Sequence, residues 1–283
     1  MKIDLHTHSK VSDGTDSPTS VVMQAVAAGL TVIALTDHDT FDGLKEAQEA
    51  GRRMGLTVLG GIEMSTAKDG HSVHLLGYGC DPTDKELGEE LARIRSGRMD
   101  RLPEMCRRLT EAGLEITPDE VRETAQWPPA VGRPHVADTM VKKGYVKSRK
   151  QAFYEWLAEG KPGFVTRYAC PVERAIDLIH RARGVAVIAH PWGRQGRAVM
   201  TAEYLEFLAR EHELEGIEVD HEDHDEDERS LLFELGGRLG LIRTGSSDFH
   251  GTGKEGHPLG GNLTRPSAYR DLINRIRRRG GLA

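Results

Sequence analysis

Histidine and carboxylate side chains recur along this 283-residue chain where short apolar segments end. Imidazole nitrogens and carboxylate oxygens are ligands that proteins offer to Zn²⁺, Mn²⁺ and Fe²⁺. In His6-x-His8 and Asp248-x-His250, the alternation directs both side chains of each pair to one side of an extended strand. The other candidates lie in or after further apolar segments and are Asp13, His38, Glu63, His74 and His190. One such histidine is usually structural, but their joint occurrence predicts a metal site.

These residues need a framework that gathers them, and the apolar segments provide one. Strand patterns alternate with helical patterns in both halves of the chain, which predicts an α/β fold with a parallel sheet covered by helices. The predicted strands are residues 2–5, 31–35, 57–59, 73–76, 184–189, 216–219 and 241–244. The helices between them are predicted at residues 18–28, 43–54, 170–179 and 229–239. The C-terminal ends of the strands of a parallel barrel meet at one rim, so the scattered candidates would share one cleft.

Strand patterns disappear between residues 84 and 162, and helical signals replace them. Residues 87–109 form a charged helical pattern. Three further helices are predicted to begin at capping or proline signals near Thr117, Pro134 and Ser148. We therefore predict a barrel made of residues 1–83 and 163–283, with a helical insertion, residues 84–162, that covers the cleft.

Charge argues against an extensive nucleic-acid surface. The chain has 38 Lys and Arg against 44 Asp and Glu, a net charge of −6 with neutral histidines, whereas such a surface needs clustered cations. The arginine-rich stretch 93–108 has acidic neighbours, so we interpret it as a solvated helix face. The acidic run 218–228 is interpreted as a flexible charged loop, because metal ligands need rigid placement.

We expect a cytoplasmic protein with no membrane segment. No apolar run approaches the ~18 residues of a membrane span, and the N-terminus lacks the apolar region of a signal peptide. The three separated cysteines imply no disulfide framework.

Five motifs resemble those of the polymerase and histidinol phosphatase (PHP) family, in family order and across nearly the whole chain. They are Asp4-Leu5-His6-Thr7-His8-Ser9, Thr36-Asp37-His38-Asp39, Gly61-Ile62-Glu63, Ala189-His190-Pro191 and Gly245-Ser246-Ser247-Asp248-Phe249-His250. Within the family the motifs look closest to small stand-alone phosphoesterases, which include 3′,5′-nucleotide bisphosphatases and an RNA 5′-end exonuclease. The resemblance implies a distorted (β/α)7 TIM-like barrel holding two or three divalent ions, Zn, Mn or Fe.

The resemblance also implies which residues hold each ion. One ion would take four ligands, namely His6, His8, Glu63 and Asp248. A second would share Glu63 and take His74 and His190. A third would take Asp13, at a position where the family varies between Asp, Glu and His, together with His38 and His250.

A phosphoesterase also needs cations for the phosphate oxygens. The Gly132-Arg133-Pro134-His135 segment, at a predicted helix N-terminus, suits a phosphate, although a solvated arginine is equally compatible. Lys161, Arg167 and His221 are further candidates for phosphate binding. Of the aromatic residues in predicted loops (Trp127, Tyr168 and Trp192), one could stack on a nucleobase, but packing is the favoured role.

The expected reaction is hydrolysis of a phosphate monoester, most simply of a nucleoside 3′,5′-bisphosphate to an AMP-like product. A hydroxide held between two metals would attack phosphorus in line. Glu63, Asp248 and His250 are the predicted catalytic residues, with Asp248, His250 or His221 handling the leaving-group proton. The alternatives are a 5′-to-3′ exonuclease on short RNA, a non-catalytic metal-dependent binding module, or an amide-bond hydrolase on a similar barrel.

Overall fold

The computed structural model describes residues 1–126, 128 and 131–283 of the chain, so the base-stacking candidate Trp127 lies outside the described residues. The strands within them are β1 Ile3–Thr7, β2 Val32–Leu35, β3 Thr57–Lys68, β4 His71–Tyr78, β5 Cys170–Pro171, β6 Val185–Ile188, β7 Gly216–Asp220 and β8 Ile242–Gly245. They form one sheet in the order β1-β2-β3-β4-β6-β7-β8, and the short β5 pairs with β3. The predicted strands are confirmed in position.

The sheet nearly closes on itself. Thr7 at the end of β1 forms an isolated bridge with Phe249 beyond β8, and the His8 N–H donates to the Phe249 carbonyl at 2.9 Å. The predicted barrel-like architecture is therefore confirmed.

The expectation of a wholly parallel sheet is wrong at β4. Strands β1, β2 and β3 are parallel, as are β6, β7 and β8. Strand β4 instead runs antiparallel to both β3 and β6, because a tight turn at residues 69–70 joins it to β3 without a helix. This reversal brings the N-terminal half of β4, with His74, to the rim where the parallel strands end.

The described residues also form helices outside the sheet and between its strands. They are α1 Pro18–Ala27, α2 Leu44–Met54, α3 Lys85–Glu111, α4 Pro118–Thr124, α5 Arg133–Lys142, α6 Arg149–Ala152, α7 Val172–Arg181, α8 Ala202–Glu211, α9 Glu226–Arg238 and α10 Pro266–Arg279. Their boundaries follow local chemistry. Ser17 caps α1 by accepting from Ser20 N–H, and Gly55, with a left-handed φ of 73°, ends α2. No described helix is long and apolar enough to cross a membrane.

Buried apolar residues divide between the sheet and the helical region. One cluster joins strands β1, β2, β4, β6 and β8 to α10 through Leu272 and Ile276. A second cluster lies among helices α3 to α6 and includes Leu109, Val121 and Leu157. The first half of α3 packs elsewhere, with α7 and the sheet, through Leu87 and Leu91. The division at residues 84 and 162 stays a prediction, since α3 belongs to both packing units.

Candidate metal centre

The nine predicted metal ligands converge at the rim of the barrel. Three groups of ligand atoms, each within 4.8 Å of one another, contain eight of them: His8, Asp13, His38 and His250; His6, His8, Glu63 and Asp248; and His38, Glu63 and His74. The ninth, His190, places its Nε2 3.4 Å from Glu63 Oε1. The backbone thus gathers residues that are up to 244 positions apart in sequence (250 − 6).

Glu63 lies at the centre and turns its two oxygens toward different imidazoles. Its Oε2 lies 3.1–3.2 Å from one nitrogen each of His6, His8 and His38. Its Oε1 lies 2.8 Å from His74 Nδ1 and 3.4 Å from His190 Nε2. A carboxylate placed this way has the geometry to bridge two cations.

Asp13 forms the opposite side of the cluster with two histidines. Its Oδ1 is 3.2 Å from His250 Nε2, and its Oδ2 is 3.7 Å from His38 Nε2. Asp248 lies between this group and the first, with Oδ1 3.4 Å from His8 Nε2. The ligand atoms of the predicted third set therefore lie within 4.8 Å of one another.

Many of these ligand atoms are buried and, within the residues that the structure describes, have no hydrogen-bond partner. They are His6 Nε2, His8 Nδ1 and Nε2, His38 Nδ1, Glu63 Oε2 and His74 Nδ1. Buried polar atoms are ordinarily satisfied, and a divalent ion would satisfy imidazole lone pairs and carboxylate oxygens together. The donor set of imidazoles and carboxylates therefore fits Zn²⁺, Mn²⁺ or Fe²⁺.

Carboxylates set the charge of the neighbouring imidazoles. Although burial opposes it, the nearby carboxylates of Asp248 and Glu63 raise the pKa of His8 to about 9. The pKa of His6 is raised well above its usual value despite burial, chiefly by Glu63. Burial instead lowers the pKa of His38 to about 3. The His6–His8 side of the site therefore favours positive charge, which a divalent ion would supply in place of protons.

Glu218 supports this site, although the sequence interpretation placed it in a flexible loop. That interpretation is wrong for the run 218–228: it comprises the end of β7, a short turn and the first turn of α9. Glu218 is fully buried, its Oε1 lies 3.3 Å from His6 Nδ1, and its Oε2 accepts from His190 N–H at 2.9 Å. Ser246 Oγ also hydrogen-bonds to Glu218. Such a partner fixes the orientation of a ligating histidine.

Two further buried carboxylates hold the surrounding segments. Asp37 accepts hydrogen bonds of 2.7 Å from Ser9 N–H, Ser9 Oγ and Ser12 Oγ, which anchors the loop that carries Asp13. Asp39 accepts from Ser65 N–H at 2.7 Å and thereby ties the end of β2 to β3. Neither role was evident from the sequence, because each carboxylate binds a segment that is distant in the chain.

Three residues at the rim have a left-handed backbone. The φ angles are 56° at Asp39, 27° at His190 and 51° at Asp248. Such values are uncommon for residues other than glycine and concentrate at functional sites. Here they lie at or beside predicted ligands, where the chain turns sharply as it leaves a strand.

Arg133 and His135, predicted to bind phosphate, begin helix α5. The Gly132 N–H donates to His135 Nδ1 at 2.9 Å, so the histidine caps its own helix. The Arg133 guanidinium lies 5.5 Å from the Phe153 ring centroid and donates to the Leu157 carbonyl at 3.3 Å. Arg133 is half-buried and His135 is buried.

The interpretation of residues 93–108 as a solvated face is wrong for Arg98 and Arg101, which are buried. Arg98 donates to Asp39 Oδ2 at 2.7 Å, directly beside the ligand candidate His38. The helical period places Arg98 and Arg101 on one face of α3. That this face is buried becomes evident only in the folded structure.

Arg98, Arg101, Arg133 and Arg167 form a group that we call the arginine cluster. Burial and the neighbouring guanidinium groups of the cluster lower the pKa of Arg101 to about 8 and that of Arg167 to about 9. Each guanidinium thus raises the electrostatic cost of charging the others. A bound anion would offset this repulsion.

The remaining phosphate candidates, Lys161 and His221, contact other side chains. Lys161 Nζ lies 5.3 Å from the Tyr154 ring centroid. His221 is fully buried behind Asp248, with its Nε2 3.4 Å from Asp248 Oδ2. Trp192 donates its indole N–H to the Met200 carbonyl at 2.8 Å, and the Tyr168 ring packs under the Arg93 guanidinium, so both have packing partners.

A cavity of about 820 Å³ opens over the centre. One wall consists of candidate ligands, namely Asp13, His38, Glu63, His74, His190, Asp248 and His250. The facing wall comes from the helical region and includes Pro134, Arg149 and Phe153. The site therefore combines a cluster of metal-binding side chains with a ligand-sized space.

The barrel and the histidine and carboxylate clusters at its rim are those of a metal-dependent hydrolase. A PHP domain model matches residues 4–277, and the chain belongs to the PHP domain family. The predicted resemblance is confirmed.

Individual relatives agree with this assignment. The 3′,5′-nucleoside bisphosphate phosphatase of Chromobacterium violaceum is 37% identical over 98% of this chain and 97% of its own length. The 5′-3′ exoribonuclease Rnm of Escherichia coli is 34% identical over 87% of this chain and 84% of its own length. A crystal structure from Bifidobacterium adolescentis, for which metal-dependent phosphoesterase activity has been proposed, has a TM-score of 0.91 and 32% identity, with 96% of both chains covered. The expected enzyme class, a metal-dependent phosphoesterase, is confirmed.

Proposed function

We propose that this phosphoesterase hydrolyses the phosphate monoester of a nucleotide, preferentially a nucleoside 3′,5′-bisphosphate. The observation that carries the proposal is the division of the Glu63 oxygens between two sets of imidazoles, with Arg98 of the arginine cluster on Asp39, next to the ligand candidate His38. One phosphate group would lie at the metal centre and the second at the arginines. The 37% identical bisphosphate phosphatase supports this substrate. A cytoplasmic location is part of the proposal and is consistent with a nucleotide substrate.

We infer that three divalent ions bind, in the ligand sets predicted above. Bound there, such ions lower the pKa of a coordinated water to about 7 and neutralise charge on the phosphate oxygens. Glu63 would hold two of the sites at a fixed spacing, and Glu218 would orient His6. Asp13, His38 and His250 would complete the third site, next to Arg98 and its partner Asp39.

The chain's own residues then position the ester. Arg133 and Arg98 offer planar, always charged groups that suit bidentate contact with a phosphate. Asp248 and His250 lie on the cavity wall, but as proposed metal ligands they have no proton to donate, and His221 is fully buried. We therefore propose that the leaving-group oxygen takes its proton from a water molecule in the cavity.

A 5′-to-3′ exonuclease acting on short RNA is the second candidate. The 34% identical Rnm exoribonuclease supports it, and Lys147 and Lys150 on the outer part of the cavity wall suit further phosphates. Against it stands the acidic net charge of −6, which disfavours a long RNA track.

Phosphate release from a defined panel tests the proposal. The panel contains adenosine 3′,5′-bisphosphate, AMP and a 5′-phosphorylated oligoribonucleotide, with metal content measured on the same sample. We expect rapid release from the bisphosphate and slower release from the other two. No release from any member would contradict the phosphomonoesterase assignment, and faster mononucleotide release from the oligonucleotide would favour the exonuclease.

Glu63→Gln tests the bridging role on the same panel. Because one oxygen becomes an amide nitrogen, we expect kcat to fall by about 100-fold or more, given that even outer-sphere partners change activity by 10- to 100-fold. Unchanged turnover with all metals still bound would rule out bridging by Glu63.

A further inference from the structure

The cavity wall contributed by the helical region carries apolar and aromatic side chains beside polar ones, the latter being Asp138, Lys147, Ser148, Arg149 and Lys150. It contains Pro134 and Val141 from α5, Phe153 and Tyr154 directly after α6, and Ala158. Tyr154 is 75% exposed and Val141 is 37% exposed. A large aromatic side chain left this open, inside a concave site, is suited to contact a bound molecule. We call Val141, Phe153 and Tyr154 the aromatic wall.

Local structure positions the aromatic wall. Phe153–Leu157 form a single π-helical turn, a feature that is rare and frequent at functional sites. Lys161 Nζ lies over the Tyr154 ring, 5.3 Å from its centroid, which leaves the rest of the ring to the solvent. A cation over an aromatic face is an attractive contact that helps to orient the ring.

The wall is continuous with the residues predicted to bind phosphate. The Arg133 guanidinium lies 5.5 Å from the Phe153 ring centroid. A substrate with its phosphates at the metal centre and at Arg133 would therefore direct its remaining part along Phe153 and Tyr154. A part that is flat and apolar on its faces would match the Phe153 and Tyr154 rings.

We propose that the aromatic wall is the nucleobase subsite of the enzyme, with Tyr154 as the stacking platform. The proposal rests on the proposed function, because it takes a nucleotide as substrate. Stacking on an aromatic ring is tolerant of base identity, since every base presents a π-face. We therefore expect the wall to separate nucleotides from sugar phosphates without a base, and to discriminate weakly among the four bases.

The test compares binding with turnover for two ligands on the metal-loaded protein. Adenosine 3′,5′-bisphosphate carries the base, and ribose 3,5-bisphosphate lacks it. Tyr154→Ala should weaken binding of the nucleotide and raise its KM by roughly tenfold, with binding of ribose bisphosphate unchanged. Tyr154→Phe, which keeps the ring, should recover most of the lost affinity. Phe207→Ala is the control, because Phe207 is 42% exposed on α8 and lies outside the cavity lining. This substitution should leave the binding of both ligands unchanged.

Equal losses for both ligands, or no loss for either, would overturn the nucleobase subsite. The binding readout also separates this proposal from the proposed function. Base-dependent binding without phosphate release would refute the function and retain the subsite. Phosphate release that is insensitive to Tyr154 would retain the function and refute the subsite. If wild-type protein neither binds nor cleaves the nucleotide, both are refuted.

Discussion

At the scale of single residues, the site depends on side chains that hold other side chains. Glu218 contacts His6 through one oxygen and the His190 main chain through the other. It thus links two histidines that face opposite oxygens of Glu63. A negative partner on the far nitrogen of an imidazole also fixes its tautomer and increases its basicity as a ligand.

Replacing Glu218 with glutamine should therefore impair the enzyme without removing a proposed metal ligand. We expect a 10- to 100-fold loss of metal affinity or activity, which a metal titration followed by phosphate release measures. Glu226→Gln, in the exposed first turn of α9, is the matched control and should leave both values unchanged. A Glu218→Gln enzyme indistinguishable from wild type would show that the contact with His6 has no functional role.

Proton release should accompany metal binding. Because the pKa of His8 is about 9 and that of His6 is raised well above its usual value, both imidazoles carry protons at neutral pH before an ion binds. Coordination requires neutral imidazole, so binding must expel these protons. Affinity for Mn²⁺ should thus rise with pH between about 6 and 9, and an unbuffered indicator assay should record acidification. Affinity independent of pH over this interval would contradict the assigned charge states.

The sequence predicts the ligand candidates more readily than the residues that hold them in place. His6-x-His8 and Asp248-x-His250 can be recognised because their residue types suit metal ions and their spacing places both side chains on one side of a strand. The burial of Glu218 and Arg98 is invisible, since a charged residue in a charged run is ordinarily solvated. The left-handed φ angles of His190 and Asp248 have no sequence signal either, because neither residue is a glycine.

At the scale of elements, the helical region contributes a wall of the site but has apolar packing of its own. Caps and proline signals predict where its helices begin, as at Ser148, whose hydroxyl accepts from Gln151 N–H. The direction of β4 was not predictable in the same way. A strand's apolar pattern is the same in either direction, and only the two-residue turn before it favours the antiparallel pairing.

Leu109→Ala should destabilise the helical region without destabilising the metal centre on the barrel. Leu109 is fully buried in the helical cluster, and such truncations reduce the free energy of unfolding by about 2–5 kcal/mol. Because the proposed ligands lie on the barrel, we expect metal content to persist while KM for the nucleotide rises. Thermal unfolding and metal analysis on one sample measure both.

Leu231→Ala on α9 is the control, since Leu231 is 44% exposed and its truncation should change stability by less than ~0.5 kcal/mol. Parallel loss of metal and substrate binding in Leu109→Ala would instead show that the helical region and barrel unfold as one unit.

At the scale of the whole molecule, charge is distributed unevenly. The net charge is −6, yet the arginine cluster concentrates positive charge beside the centre. Positive charge held inside a cleft attracts a small phosphorylated ligand by focusing the field there. Nine carboxylates but two arginines are buried among the described side chains, so the exterior has nearly balanced charge and offers no excess of cations to the extended backbone of a long nucleic acid.

This distribution predicts a shallow dependence of oligonucleotide binding on salt. If only two phosphates are engaged, log K should fall against log salt with a slope of about −1.4, since each contact on a single strand contributes about −0.7. The slope should then be the same for di-, tetra- and octaribonucleotides with a 5′-phosphate. Fluorescence anisotropy with metal-loaded Glu63→Gln protein, in which cleavage is slowed, would measure it. Lys85→Gln and Lys10→Gln, at exposed positions outside the cavity lining, should leave the slope unchanged.

A slope that steepens with the length of the oligonucleotide would instead establish an RNA track across the surface and favour the exonuclease.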